Sequence, residues 1–397
     1  MADPQGRDVV PDDSLLRRIF AHNQPLSVSI ILNNWDKCVF KATVPNALSN
    51  GCYSCIVRLE ALNNQAATFF MVAAMQEIAA LCIPDFVPET LDAGKAANEK
   101  GREFQFSVLE FIEGVTLEDA WELMADTNRR SVVNTIVKVL SELQSVEISD
   151  WKAQNLLQIS LGEESREKLA NAVLGGPSTG LLIDGRSLLS SMEQQFQLKK
   201  PFHTTRPMDN PRRLVIESEY EEVGSATVGD ADMEEWSKEA VFCHNDLEPR
   251  NIMVRAVEAP GGQTKYELAA LIDWELAGFY PPSYQLSLQD TYLGTGHRHL
   301  SFYFLLKEGL QRIVPRSPSQ VSLSRAMLLL FESQQQMLSS GRNVGAHILR
   351  HYRKIMQLSR DEDPYVGWRC DAEGPLPEMS ADDFDKLENE VIADVLG

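Results

Sequence analysis

One polar loop between two apolar segments restricts the fold of this chain more than any other feature. It lies within residues 241 to 254, which read VFCHNDLEPRNIMV. The apolar segments on either side are short, as buried strands are, and the polar residues are concentrated where a loop would leave a sheet. The sequence therefore predicts a strand, a polar loop and a second strand in immediate succession.

The residue types in this loop suit phosphoryl transfer. That reaction requires a carboxylate facing the acceptor hydroxyl and oxygen ligands for the magnesium that accompanies the phosphates. Asp246 supplies the carboxylate, and Asn251 supplies one oxygen ligand. His244 is expected to hold the loop by hydrogen bonds rather than to titrate in the reaction.

A second acidic motif, LIDWE at residues 271 to 275, supplies the anionic ligand that magnesium needs. Predicted strands at 251 to 256 and 266 to 272 are joined across Pro260-Gly261-Gly262, which is a hairpin signature. Because a hairpin folds back on itself, it returns Asp273 to the side of Asn251. Glu275 is either a further ligand or a carboxylate that faces the acceptor.

The N-terminal part has the pattern of a small β-rich unit in the order β-β-β-α-β-β. Two strands are predicted within 26 to 45 around Asn33-Asn34, and single strands at 53 to 60, 87 to 93 and 104 to 111. Apolar residues at helical period predict a helix from Gln65 to Cys82, ending before Pro84. Helical periodicity dominates from Leu117 onward, so we place a domain boundary near Gly114.

The composition limits the kinds of molecule that this protein is expected to bind. With 57 acidic and 37 basic residues the formal charge is -20, which argues against nucleic-acid binding and makes a charged substrate easier to imagine as cationic. The six cysteines are dispersed and do not resemble a disulfide framework, and no apolar run approaches membrane-spanning length. We therefore expect a soluble cytoplasmic protein with no membrane partner.

An acidic segment with few aromatic residues follows the middle of the chain. Residues 217 to 235 read ESEYEEVGSATVGDADMEE, and we predict an exposed acidic insertion over residues 214 to 238. From Ser301 onward the sequence predicts mainly helices.

The two polar motifs resemble a known group of enzymes. HNDLEPRN followed by LIDWE is similar to the catalytic and metal-binding segments of the aminoglycoside phosphotransferase and choline kinase families, relatives of protein kinases with an H-x-D-x-x-x-x-N loop. The resemblance implies an α+β, bilobal protein kinase-like fold. Its parts would be an N-terminal extension at 1 to 24, a small β-rich nucleotide lobe at 25 to 114 and a larger, mainly helical catalytic and acceptor-binding lobe at 115 to 397.

The resemblance also implies a role for individual residues. Asp246 becomes the catalytic base, Asn251 and Asp273 the magnesium ligands, and Glu275 a further candidate ligand. In the small lobe, the implied ATP-binding residues are Arg58 on the third strand for the phosphates, Glu77 as its ion-pair partner, and Glu110 and Ile112 in the hinge segment 109 to 112 for adenine.

The chain departs from the family pattern at two positions in the small lobe. The basic residue of the third strand is Arg58 rather than lysine, and a planar guanidinium still binds phosphate, with two parallel hydrogen bonds. The phosphate turn at 32 to 36 reads LNNWD and has no glycine. Asparagine tolerates positive φ better than most residues, so a tight turn is still expected there.

The expected activity is ATP- and magnesium-dependent phosphorylation of a hydroxyl on a small molecule. An amine-bearing acceptor is one hypothesis, since acidic residues are available to attract it, among them Glu275, Asp290, Asp361, Glu362 and Asp363. His297 and His299 either line the acceptor pocket or belong to an exposed loop.

Two alternatives to a small-molecule kinase stay open. A protein kinase is disfavoured because Glu248 stands where lysine is usual, Asp273 precedes Trp-Glu rather than Phe-Gly, and no Ala-Pro-Glu follows. A non-catalytic nucleotide-binding protein draws support from Arg58 and the glycine-free turn, and the intact Asp246, Asn251 and Asp273 oppose it.

Overall fold

The five strands that the sequence predicts in the N-terminal part are present, and they form one antiparallel sheet. The computed structural model describes residues 9–62, 66–194, 200–258, 262, 264–291 and 298–397. In chain order its first elements are α1 (Asp13–Ile19), β1 (Ser27–Asn33), β2 (Lys37–Thr43), β3 (Ser54–Ala61), α2 (Ala66–Cys82), β4 (Thr90–Ala97) and β5 (Glu103–Glu110). The strand order is β1-β2-β3-β5-β4.

Alternating burial explains why these segments become strands. Along β2 and β3 every second residue is buried, and Phe40 and Val57 pack beneath the sheet with Leu15 of α1. The helix α2 ends at Cys82, before Pro84, as expected. The fourth strand was predicted at 87 to 93 but begins at Thr90, because a 3-10 turn at Pro84–Phe86 precedes it.

The remaining part of the chain is mainly helical, with short strands between the helices. The helices are α3 (Leu117–Ala120), α4 (Asp126–Leu143), α5 (Trp151–Leu161), α6 (Arg166–Asn171), α7 (Gly185–Gln194), α8 (Asp230–Lys238), α9 (Pro282–Thr291), α10 (Leu300–Ile313), α11 (Pro318–Ser339), α12 (Val344–Ile355) and α13 (Ala381–Leu396). The strands are β6 (Val115–Thr116), β7 (Leu174–Gly176), β8 (Gly180–Leu182), β9 (Phe202–Thr205), β10 (Arg213–Ser218), β11 (Ser225–Gly229), β12 (Val241–Cys243), β13 (Ile252–Glu258), β14 (Thr264–Leu271), β15 (Gly278–Tyr280), β16 (Leu358–Arg360) and β17 (Trp368–Cys370).

Two of the small sheets support the polar loop. In one, β12 pairs with β15, and in the other, β13 lies between β14 and β6. Gly114, at the predicted boundary, allows this arrangement because a Cβ there would lie 2.3 Å from the carbonyl oxygen of Val254. The predicted turn residues Pro260 and Gly261 lie outside the described residues, as does His297.

The prediction of an exposed acidic insertion at 214 to 238 is wrong. Strands β9, β10 and β11 form an antiparallel sheet there, and α8 follows. Ile216, Val228, Met233 and Trp236 are buried in a core shared with α9 and α11. The acidic residues lie between them at exposed or partly exposed positions, so the net charge of the segment concealed an amphipathic pattern.

The described structure has a β-rich N-terminal part and a helical C-terminal part, which confirms the predicted α+β class. All six cysteines are free thiols in the structure. Within the described ranges, no helix combines the length and the apolar character that a membrane span requires.

Trp236→Ala should destabilise the protein strongly if this segment belongs to the core. The indole is fully buried and its Nε1 donates a hydrogen bond of 2.8 Å to the carbonyl oxygen of Ser319. We expect the free energy of unfolding to fall by about 3 to 5 kcal/mol in denaturant titrations. Glu234→Ala, an exposed change in the same helix, should cost less than about 0.5 kcal/mol. Equal stabilities for the two variants would contradict the assignment to the core.

Candidate active site

The imidazole of His244 fixes the loop that follows β12. Its Nε2 donates to the carbonyl oxygen of Ile272 at 3.1 Å, and its Nδ1 accepts from the backbone N–H of Asp246 at 3.2 Å. Complete burial lowers the pKa of His244 to about 4, so the ring is neutral and carries its proton on Nε2. The ring is therefore a structural support, as the sequence predicts.

Gln285 of α9 holds the same loop from the other side. Its Oε1 accepts from the backbone N–H groups of His244 and Asn245, at 3.0 and 3.2 Å. Asn245 has a φ of 68°, and its Nδ2 donates to the carbonyl oxygen of Leu276 at 2.9 Å. Sequence reasoning missed Gln285, although a glutamine within an otherwise buried helix is a signal of a polar partner nearby.

The hairpin of β13 and β14 brings the two polar motifs together. Ile252 pairs with Leu271, and the N–H of Ile272 donates to the carbonyl oxygen of Asn251 at 2.9 Å. The Nδ2 of Asn251 donates to the carbonyl oxygen of Asp246 at 3.3 Å. The structure thus brings Asp246, Asn251 and Asp273 to one place.

The negatively charged carboxylates of this cluster repel one another. Burial, followed by the charges of Glu248 and Asp273, raises the pKa of Asp246 to about 7. Burial and the neighbouring Glu275 also raise the pKa of Asp273. The Oδ1 atoms of Asp246 and Asp273 are buried and, within the described chain, accept no hydrogen bond. A bound cation would relieve both the repulsion and the missing contacts.

The donor set fits magnesium. Asp273 offers a buried carboxylate oxygen, and Asn251 beside it offers an amide oxygen. Among the described residues no group of three or more histidine, cysteine or acidic side chains forms a cage for a metal. Magnesium keeps several waters and binds proteins through one or two carboxylates, so a sparse set of this kind suits it.

Glu275 is held by two cations of the N-terminal sheet. Lys37 Nζ lies 3.2 Å from its Oε1, and Arg58 Nη2 lies 2.5 Å from its Oε2. Burial alone would raise the pKa of Glu275, but Arg58 and Lys37 lower it to about 2. Arg58 also pairs with Glu60 and lies 3.6 Å from Asp273. Lys37 was not among the predicted site residues.

Glu77 does not meet Arg58 in the described structure, contrary to the expected ion pair. A cavity of about 60 Å³ beside Arg58 is bordered on the α2 side by Val72, Ala73 and Gln76. Glu77 is the next residue and does not border this cavity, and partial burial raises its pKa.

The predicted hinge lies where β5 ends. The N–H of Glu110 donates to the carbonyl oxygen of Glu89 at 2.9 Å, and Glu110 Oε2 accepts from the N–H of Glu89 at 3.2 Å. Ile112 lies two residues beyond the strand, outside the sheet. The Nε2 of His299 donates to the carbonyl oxygen of Glu118 at 3.0 Å, and the residue is buried rather than on an exposed loop.

A family model described as phosphotransferase enzyme family matches residues 48–288, which is more than half of the chain. The chain belongs to the phosphotransferase enzyme family. The predicted resemblance and the enzyme class, a small-molecule kinase, are thereby confirmed. Among curated proteins, no sequence matches this phosphotransferase significantly.

Solved structures of aminoglycoside phosphotransferases are similar to this phosphotransferase over nearly its whole length. A GDP and kanamycin complex of a 2''-phosphotransferase is 11% identical, with a TM-score of 0.44, and 96% of this chain covers 97% of that one. An ADP-bound 2''-phosphotransferase is 11% identical, with a TM-score of 0.41 and coverage of 97% and 99%. A GDP complex of a 2'-phosphotransferase mutant is 13% identical, with a TM-score of 0.41 and coverage of 96% of both chains.

The buried His244 predicts a loss of stability in acid. Its pKa is about 4 in the folded protein and about 6.5 when unfolded, so the unfolded chain binds the extra proton between these values. Its contribution is complete above about pH 6.5 and is lost as the pH falls towards 4, by about 3 kcal/mol in total.

Denaturant titrations from pH 7.5 to 4 measure this effect. His244→Gln should be less stable at pH 7.5 and should lose less stability on acidification than the wild type. His351→Gln, which changes an exposed histidine, should keep the wild-type slope. Identical slopes for all three proteins would show that His244 is not the titrating group.

Proposed function

We propose that this phosphotransferase transfers the γ-phosphate of ATP, with magnesium, to a hydroxyl group of a small amine-bearing molecule. The observation that carries the proposal is the buried Oδ1 of Asp246, which has no hydrogen-bond donor among the described residues although its loop is fixed from both sides. A buried acceptor without a donor costs free energy, and the hydroxyl of an acceptor molecule supplies the missing donor.

In the proposed step, Asp246 acts as the base. The acceptor hydroxyl donates its hydrogen bond to Oδ1, and its oxygen forms a bond to the γ-phosphorus while the bond from that phosphorus to the bridging oxygen breaks. The hydroxyl proton passes to Asp246, and the nucleoside diphosphate leaves. The raised pKa of Asp246 makes its carboxylate a stronger base than an ordinary aspartate.

The other residues bind and orient the reactants in this proposal. Magnesium, held by Asn251 and Asp273 with Glu275 as a further ligand, would neutralise charge on the phosphates. Arg58 would bind phosphate oxygens, and the backbone of Glu110 and Ile112 would bind the adenine. The lobes would be residues 25 to 114 for the nucleotide and 115 to 397 for catalysis and the acceptor. Glu77 keeps no role in binding Arg58.

The proposed amine on the acceptor follows from the charges beside Asp246. Glu248 is partly buried two residues further on, and burial raises its pKa. The carboxylate of Glu118, on α3, raises it further, so the two acids lie close together. Arg250 forms an ion pair of 2.6 Å with Glu248. Glu118 has no ion-pair partner within the described residues, so its negative charge is in excess. An ammonium group on the acceptor would balance it.

Asp246→Asn should abolish turnover and spare nucleotide binding. Loss of the base lowers kcat by about a hundredfold to ten-thousandfold, whereas the side-chain volume is unchanged. The measurement is ADP release with magnesium on a panel of amino alcohols, together with nucleotide affinity by calorimetry. Asp209→Asn, at an exposed position, is the control and should keep wild-type rates. Full turnover in Asp246→Asn would eliminate Asp246 as the base, and wild-type binding without turnover would favour the non-catalytic alternative.

Glu248→Gln should weaken the discrimination between charged and neutral acceptors. Removing one carboxylate should raise KM for amine-bearing acceptors about tenfold, the usual effect of a lost partly buried charge contact, and leave KM for matched neutral alcohols within about twofold. Glu267→Gln, an exposed acid on β14, is the control. A parallel change for both acceptor types would show that Glu248 does not recognise the amine.

A further inference from the structure

Backbone N–H groups of the turn between β1 and β2 donate hydrogen bonds within the turn itself. The side-chain oxygen of Asn34 accepts from the N–H of Asp36 at 3.1 Å and of Lys37 at 2.7 Å. The N–H of Asn34 itself donates to the carbonyl oxygen of Lys37 at 2.9 Å. Backbone N–H groups bind phosphate only when they are free and converge on a concave space. These three groups are therefore not donors for a nucleotide, and the turn needs another means of contacting phosphate.

A side-chain cation stands at the end of this turn. Lys37 is the first residue of β2, its side chain is 20% exposed, and its Nζ reaches Glu275 at 3.2 Å from Oε1 and 3.5 Å from Oε2. Arg58 on the adjacent strand β3 reaches the same carboxylate. Lys37 and Arg58, on neighbouring strands, thus both pair with Glu275, which belongs to the C-terminal part of the chain.

The carboxylate of Glu275 and a phosphate group are interchangeable partners for these two cations. A carboxylate and a phosphate both offer two oxygen atoms in a plane, and a guanidinium binds either of them through parallel hydrogen bonds. A lysine contributes a compact positive charge to either anion. Because the Arg58 side chain is only 15% exposed and that of Lys37 only 20%, both need an anionic partner with or without nucleotide.

We propose that Lys37 is a second phosphate-binding residue, which with Arg58 binds the β- and γ-phosphates of the nucleotide, and that Glu275 holds their place in the nucleotide-free protein. The inference rests on the proposed function and specifies how that site binds the triphosphate. On phosphate entry, Glu275 leaves the two cations, and the phosphate oxygens replace its carboxylate. The glycine-free turn then contacts phosphate through a side chain instead of its backbone.

Calorimetry with ATP, ADP and adenosine tests the proposal. GTP, GDP and guanosine are measured in the same way. Lys37→Met should weaken ATP binding about tenfold to a hundredfold, the effect of one lost charged hydrogen bond, and leave adenosine binding unchanged. Lys37→Arg should restore most of the ATP affinity. Lys95→Met, on the exposed edge strand β4, is the matched control and should bind as the wild type does.

A second variant tests the exchange of anions. In EDTA, Glu275→Gln should bind ATP at least threefold more tightly than the wild type, because the competing carboxylate is gone. Unchanged or weaker binding by Glu275→Gln would overturn the exchange.

The outcomes separate this inference from the proposed function. If the wild type binds ATP and Lys37→Met binds it equally well, or loses ATP and adenosine affinity alike, Lys37 only ties the two parts of the chain together and the inference is wrong. If the wild type binds none of the nucleotides, the proposed function fails as well. A drop confined to the phosphate-bearing ligands, rescued by arginine, supports the inference.

Discussion

The burial of a polar loop is the constraint on which the rest of the structure depends. His244 and Asn245 are fully buried and Asp246 is 7% exposed, so each polar group needs a partner or becomes costly. The partners come from separate elements: the imidazole binds the backbone before Asp273, and Gln285 binds the backbone of the loop from α9. These contacts fix the loop, and the buried Oδ1 of Asp246, which accepts no hydrogen bond from the residues that the structure describes, then marks the place for a ligand.

Local patterns in the sequence were sufficient wherever neighbouring segments determine the structure. The strands of the N-terminal sheet, the end of α2 and the hairpin that brings Asp273 to Asn251 all follow from periodicity and turn residues close in sequence. The contact of Lys37 with Glu275 spans 238 residues, and no periodicity encodes a pair that depends on how the two parts of the chain pack. Lys37 was missed for this reason.

The acidic segment before β12 shows that composition alone does not predict which residues are buried. Its charge suggested a solvated insertion, yet Ile216, Val228 and Trp236 anchor it in a core with α11. A strand needs only every second residue to be apolar, and a short helix needs two or three, so a segment can be strongly acidic and still be half buried. Pattern therefore outweighs charge as a predictor of burial here.

The same reasoning links the glycine-free turn to the ion pairs that Lys37 and Arg58 form with Glu275. Asn34 makes a tight turn by accepting the N–H groups that a glycine-rich turn would leave free, which removes them from ligand binding. The positive charge beside the turn must then come from side chains, and partly buried side-chain cations need an anion at all times. Glu275 is the anion that pairs with both cations in this structure. The turn closed by Asn34 and the pairing of Glu275 with two cations thus both follow from a turn sequence without glycine.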